Sequence, residues 1–360
     1  MTERFGARAV TTDPGLVRQA WQVAAGIGLT GLCLPVEHGG AGLGALDTAL
    51  DLAAFGRACP DTGLVFGIAA HLLSCAVPVA EFGAGETAER LLVGMAKGDL
   101  IAGNAMTEDE AGSDVGQLRT TAVRSGGGYV IEGEKSFVSN APIADVFVTY
   151  AITDPSAGFL GVSSFAVPRD TDGLVVGPQL PKMGLHGCPA ARVRFDRCLV
   201  PERFRLGHEG GGGMVFQRSM AWERGCLFAI YLGLMERQVE ECVHHATGRR
   251  QFGRKLAGFQ AVSHRIARMR QRLEGARLLL YRACWLLDQG DEDVGAIAMA
   301  KTAVSEAAVA NSLDAVQLFG ASGYLLGPGI EQQLRDCVPA TIFSGTTEIQ
   351  LELIAREAGL

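Results

Sequence analysis

No Cys-x-x-Cys pair occurs among the nine cysteines scattered from Cys33 to Cys337. Their odd number and irregular spacing exclude a disulfide-stapled scaffold and a zinc site, and a reducing cytoplasm is the simplest setting. Positive charge is also short: 32 Lys and Arg face 39 Asp and Glu, a formal net charge of −7. That balance argues against nucleic acid held by electrostatics. The opening Met1-Thr2-Glu3-Arg4-Phe5 lacks a charged-then-apolar leader pattern. No uninterrupted apolar run reaches the ~20 residues needed to span a bilayer. A soluble, untargeted protein with no membrane partner is expected.

What is present is an ordinary globular composition, 48% hydrophobic and 20% charged over 360 residues. At roughly 100 to 200 residues per domain this suggests two or three domains. From Pro14 to Gly98 apolar residues such as Leu16, Trp21, Val23, Ile27, Leu46 and Leu50 recur at helical spacing. The cluster Gly39-Gly40-Ala41-Gly42-Leu43-Gly44 is a breaker between helices, because it lacks the preceding strand and glycine spacing of a nucleotide-binding loop. From Ile101 to Glu209 the texture changes to short runs rich in β-branched residues, among them Val146-Phe147-Val148-Thr149-Tyr150 and Ser164-Phe165-Ala166-Val167, with a hairpin turn at Gly126-Gly127-Gly128. Gly210-Gly211-Gly212-Gly213 then reads as a connector. Beyond Met214 the helical period returns, and Val262, Ile266, Met269, Leu273, Ala276 and Leu280 mark one buried stripe. Breaks fall at Gly290-Asp291 and at Gly327-Pro328-Gly329. The expected fold is α+β: an N-terminal helical domain (1–100), a middle antiparallel β domain (101–212) and a C-terminal four-helix bundle (213–360).

Three separated motifs carry a resemblance. They are Thr107-Glu108-Asp109-Glu110-Ala111-Gly112-Ser113-Asp114; Arg249-Arg250-Gln251-Phe252-Gly253 with Phe259-Gln260 downstream; and Gln317-Leu318-Phe319-Gly320 with the terminal Gly345-Thr346-Thr347-Glu348-Ile349-Gln350. In order and spacing they resemble the acyl-CoA dehydrogenase family over nearly the whole chain, with Asp109 where that family has proline. The resemblance implies FAD as cofactor. Short polar residues and backbone amides of the first motif suit the donors and acceptors on the flavin's pyrimidine edge. On this resemblance Met106, Thr107 and Ser113 line the flavin or the thioester. Phe137-Val138-Ser139-Asn140 resembles the family's Trp-Ile-Thr-Asn, so Phe137 would cover one ring face and Ser139 would lie near N5. Arg249 and Gln251 would serve the pyrophosphate by charge-assisted and neutral hydrogen bonds, Phe252 would pack on adenine, and Gln260, Gln317, Gly320, Thr346 and Glu348 complete the implied FAD contacts. In the family the arginine motif reaches a neighbouring subunit's FAD, which implies a homo-oligomer, a tetramer built as a dimer of dimers.

One departure bears on the chemistry. The family often carries its catalytic glutamate immediately before the terminal Gly-Thr, where this chain has Ser344. An unassisted serine is far too weak a base to take a carbon-bound proton near neutral pH. Some branches, resembling isovaleryl- and long-chain acyl-CoA dehydrogenases, place the base earlier within a Glu-Arg pair, and Trp222-Glu223-Arg224 falls there. Glu223 is therefore the expected base, in a pocket whose desolvation would raise its pKa. The alternative is that Glu223 pairs with Arg224 or caps a helix. Substrate contacts implied by the family fall on Ser113, Arg224, Ser344, Gly345 and Arg356, with the Ser344 backbone N–H polarising the thioester carbonyl. Ala221 replaces an aspartate that commonly contacts CoA in the family, and Cys188-Pro189-Ala190 replaces a Ser-x-Thr stretch near the β-domain edge; these departures weaken the case for free CoA, and the thioester is borne by CoA or by a carrier protein. Electron-transfer flavoprotein or oxygen would accept the electrons. A flavin oxidase or monooxygenase on the same fold is the competing reading. Glu241 and His244 have the spacing of a di-iron ligand pair, but no second copy accompanies them, which leaves a solvated helix face.

Overall fold

The computed structural model describes residue 5, residues 10–327 and residues 329–360; the Met1–Arg4 start and Pro328 lie outside the described residues. Helix α1 (Pro14–Ala25) starts where Asp13 accepts the Leu16 N–H at 2.8 Å, with proline in the first turn. Helix α2 spans Ala45–Ala58, and α3 (Thr62–Ala70) continues through a widened, π-type turn at His71–Ala76 into α4 (Val77–Phe82); α5 is Gly85–Ala96. The run Thr62–Phe82 has the length and apolarity of a membrane span, yet 94% of that window is buried within the fold. It is the central core helix of the N-terminal domain.

Eight strands form the middle domain: β1 (Ala102–Ala105), β2 (Thr121–Ser125), β3 (Gly128–Ser139), β4 (Val146–Ile152), β5 (Val162–Pro168), β6 (Leu174–Val176), β7 (Ala190–Pro201) and β8 (Arg205–Leu206). Their order is β6-β7-β3-β2-β4-β5-β8, with β1 added on β4. The sheet is mixed rather than wholly antiparallel, because β1 and the start of β2 run parallel to β4. Parallel pairing needs a long crossover and leaves no local turn signal, so the strand runs alone did not reveal it. Tyr129, Ile131, Val193, Phe195 and Val200 pack the inner face of the β3–β7 pair.

The C-terminal part holds α6 (Gly212–Trp222), a second π-type turn at Glu223–Leu227, then α7 (Ala229–Gly248), α8 (Gln260–Asp288), α9 (Val294–Phe319), α10 (Ile330–Cys337) and α11 (Thr347–Glu357). Met269, Leu273, Ala276 and Leu280 are buried on α8 as their spacing predicts, while Val262 and Ile266 are half-buried nearer the helix start. Burying Met269, Leu273 and Leu280 stabilises by about 1.5–3 kcal/mol each, and Ala276 by less. Helices α2 and α7 meet backbone to backbone: a Cβ on Gly56 would lie 2.2 Å from Ile230 O, and one on Gly233 1.9 Å from Ala53 O. Asp288 at the end of α8 accepts from Ala45 N at 2.5 Å and Leu46 N at 3.0 Å, capping α2. The N-terminal helices are thereby locked to the bundle.

A buried ion pair holds the loop of the first motif. Glu108 Oε1 accepts from Lys135 Nζ at 2.7 Å, the two side chains being 6% and 0% exposed. Glu108 also accepts from Arg119 N, Thr120 N and Thr120 Oγ1, and Lys135 donates to Met106 O at 3.2 Å. Burial alone would raise the Glu108 carboxyl; Lys135 and the hydroxyl and amide donors outweigh it and bring the pKa below the ordinary value. Burial pulls Lys135 down to about 8 despite Glu108. Replacing Glu108 by Gln leaves this cation without its counter-charge, so the protein should lose about 3–5 kcal/mol at pH 7 in a denaturant titration. Because Lys135 sheds its proton above its folded pKa, the deficit should shrink toward pH 9.

Candidate active site

Glu223 opens the second π-type turn and is only 7% exposed. Its carboxylate takes one hydrogen bond on each oxygen: Ser74 Oγ donates to Oε2 and Ser344 Oγ to Oε1. Arg224 does not pair with it; its Nε donates instead to Ser344 O at 2.7 Å. The expected alternative, a Glu223–Arg224 pair, is thus not the arrangement found. Burial pushes the Glu223 carboxyl above its ordinary range, opposed by the Ser344 and Ser74 hydroxyls and by the charge of Arg224. Burial likewise lowers the Arg224 guanidinium. Lys301 Nζ on α9 is buried without a hydrogen-bond partner, 5.5 Å from the Phe228 ring, and burial and Arg224 bring it down to about 8.

Ser344 is held from both sides. Phe343 before it packs among Phe66, Phe228 and Tyr231, with ring centroids 4.7, 5.4 and 6.4 Å away. After it, Gln350, fully buried on α11, donates to Ser344 O at 3.3 Å and Gly345 O at 3.2 Å. Ser344 and Gly345 both take left-handed backbone, φ 56° and 89°. The turn ends at Thr346, whose Oγ1 caps α11 by accepting from Ile349 N; Glu348 in the first helical turn is exposed. Arg356, near the end of α11, is exposed and pairs with Glu352 at 2.8 Å.

A second cluster lies on the β domain. Where β3 pairs with β7 the register slips between Lys135 and Val138, and Phe137 in that bulge has φ 55° and is 63% exposed. A bulge re-aims side chains beside a site. Thr107 O accepts from Ser136 N at 2.8 Å, tying the Met106–Thr107 loop to the same bulge, with Ser139 two residues beyond Phe137. Met106 is buried, Thr107 and Ser139 are half-buried and Ser113 is exposed. The His71–Ala76 turn touches this cluster through His71 Nδ1, which accepts from Ala102 N at 2.9 Å.

A third set gathers at one end of the bundle, where α7 ends, α8 begins and α9 ends; His245 stacks on Phe319 there at 4.2 Å. Arg249 leads into a two-residue hairpin, Arg250–Gln251 against Arg254–Lys255. Arg249, Gln251, Gln260, Gln317 and Gly320 are exposed, and Phe252 at the hairpin tip is 93% exposed with φ 51°. No hydrogen bond joins this set to Glu223 among the described residues. Glu241 accepts from Gln333 at 2.9 Å, and no group of His, Cys, Asp and Glu arranged to hold a metal occurs among the described residues. Sequence reasoning missed Ser74 and the bracing role of Gln350. A serine within the apolar run Thr62–Phe82 was the available signal for the first.

The acyl-CoA dehydrogenase N-terminal, middle and C-terminal domain models match residues 6–99, 103–198 and 210–359, and the chain belongs to that family. An L-prolyl-[peptidyl-carrier protein] dehydrogenase of Pseudomonas fluorescens is 54% identical over 94% of this chain and 90% of its own length. A solved structure described as PigA with FAD and proline is 43% identical, covers 100% of this chain and 96% of that one, and has a TM-score of 0.94. The prolyl acyl carrier protein oxidase AnaB is 38% identical over 95% of this chain and 91% of its own, with a TM-score of 0.93. The chain is an FAD-dependent dehydrogenase of acyl thioesters. Its residues suit that cofactor: Phe137 presents an outward ring beside polar loop groups, while Asn104 Oδ1, two residues before Met106, and Trp222 Nε1, next to Glu223, are buried without partners in the chain.

The turn after Ser344 is open to a direct check. A Cβ on Gly345 would sit 2.6 Å from Gln350 Nε2 and 3.1 Å from Arg224 Nη2, at a φ that costs a side chain about 1–2 kcal/mol. Gly345→Ala should therefore slow thioester-dependent flavin bleaching by about tenfold or more, with little change in far-UV circular dichroism.

Proposed function

We propose that this protein oxidises an L-prolyl group held as a thioester on a carrier protein, with Glu223 as the base that takes the α-proton. The observation that carries it is a buried carboxylate bonded to two neutral hydroxyls and not to the adjacent arginine. A carboxylate so placed is a stronger proton acceptor than one in a salt bridge, where the cation would hold it ionised and weakly basic. The backbone N–H of Ser344, in a turn fixed by Arg224 and Gln350, serves as a donor to the thioester carbonyl and so acidifies the α-carbon. Bound FAD supplies the acceptor for the hydride.

Two features favour a carrier protein over CoA. The similar proteins named above act on prolyl groups of carrier proteins by their own descriptions. In this chain Cys188 replaces the serine of the family's Ser-x-Thr stretch, and its thiol is buried and directed to Asn140 Oδ1 at 3.3 Å. Ala221, 8% exposed, offers no carboxylate. The electron acceptor is an electron-transfer flavoprotein; oxygen is the second reading, favoured by the likeness to a protein described as an oxidase. Anaerobically reduced protein mixed with each in a stopped-flow instrument separates the two. Nine free cysteines fit a reducing cytoplasm.

Glu223→Gln should retain FAD and lose thioester-dependent bleaching by about 100-fold or more; bleaching at the original rate would remove Glu223 from the role. L-prolyl carrier-protein thioester should reduce the flavin faster than prolyl-CoA or straight-chain acyl-CoA. The exposed bundle end, with Arg249, Gln251 and Phe252, meets the FAD of a neighbouring copy in a homotetramer. Phe252→Ser should weaken FAD retention and lower the mass seen by light scattering, while circular dichroism stays unchanged.

A further inference from the structure

Two helices lining the site depart from the α-helical repeat where they face each other. One departure is His71–Ala76, between α3 and α4; the other is Glu223–Leu227, between α6 and α7. A π-type turn inserts a residue, displaces the side chains around it, and recurs at functional sites. Here the two turns bring Ser74 of the N-terminal domain against Glu223 of the bundle. Ser74 is 1% exposed, and Ser219 Oγ approaches its carbonyl at 3.4 Å from α6. Serine in a helix interior ordinarily bonds back to its own helix or points to water. Ser74 does neither, and its hydroxyl is committed to the carboxylate.

Resting on the reading of Glu223 as base, we propose that Ser74 is a positioning residue: with Ser344 on the other oxygen, it holds a hydroxyl donor on the Glu223 carboxylate and keeps it ionised at pH values where proton abstraction would otherwise fail. Hydroxyl donors stabilise a carboxylate without neutralising it, so they offset desolvation with a smaller loss of basicity than a paired cation would impose. The other groups facing Glu223 are Cys75 on the same turn as Ser74, Tyr150 on β4 and Arg224 on its own turn. Burial pushes the Cys75 thiol and the Tyr150 phenol up, so both stay neutral, and Arg224 stays cationic. Lys301 faces Arg224 and Glu348.

The test is the pH profile of anaerobic flavin bleaching by L-prolyl carrier-protein thioester, in the wild-type, Ser74→Ala and Ser74→Cys holoenzymes. Removing a donor to the ionised form raises the pKa of the base, so the acid limb should move to higher pH. A shift of about one unit is expected for Ser74→Ala, a roughly tenfold lower rate below the limb, with the high-pH plateau kept within about twofold. Ser74→Cys, a weaker donor of similar size, should fall between. An unmoved limb, or an equal loss of rate at every pH, overturns the proposal. Should Ser74→Ala fail to hold FAD, the cysteine variant carries the same test. Glu223→Gln run alongside keeps the failures apart: fast bleaching there sinks the base assignment, whereas no bleaching there together with an unmoved limb in the serine variants sinks only Ser74.

Discussion

A carboxylate that must act as a base on carbon has to be buried without being neutralised. Burial raises its proton affinity, and every stabilising contact lowers it again. Glu223, the proposed base, is buried and takes its bonds from two hydroxyls while Arg224 is occupied with the Ser344 carbonyl. Much of the surrounding architecture keeps that cation away. The aromatic collar of Phe66, Phe228 and Tyr231 fixes Phe343, and Gln350 fixes the turn after Ser344. The Arg224 guanidinium is thereby committed to a backbone oxygen.

The three domains contribute unequal things. The bundle gives Glu223 and the C-terminal turn and the N-terminal core helix gives the Ser74 hydroxyl, while a separate cluster on the β domain presents Phe137 from a bulge braced by a buried ion pair. That pair is costly to assemble, and its worth lies in register: Lys135 and Glu108 bind one strand of the sheet to the loop that carries Met106 and Thr107.

Much of this was legible in the sequence. The α-β-α order followed from the switch in hydrophobic period, because period depends only on local geometry. Glu223 could be singled out from the sequence because the terminal motif has Ser344 where a glutamate was expected, and its burial beside Ser344 is what the structure adds. What stayed hidden involved contacts across long separations. Ser74 lies 149 residues from its partner, and two π-type turns with no sequence signature bring them together. The parallel pairing of β1 with β4 was hidden for the same reason. Glu108 was visible only as part of a motif read for the cofactor, whereas its side chain faces inward to Lys135. Arg224 was read by resemblance as a substrate contact, and its hydrogen bond to the Ser344 carbonyl, 120 residues away, had no signal in the sequence.

The close approach of α2 and α7 at Gly56 and Gly233 carries a wider consequence. Two missing methyl groups set how near the N-terminal helices can lie to the bundle, and that spacing in turn sets whether a hydroxyl on one can reach a carboxylate on the other. The hydrogen bond to the Glu223 carboxylate is thus governed partly from the far side of the helix pair. Evolution could retune the acidity of this centre by wedging the two layers apart, without altering a single group that meets the reactants.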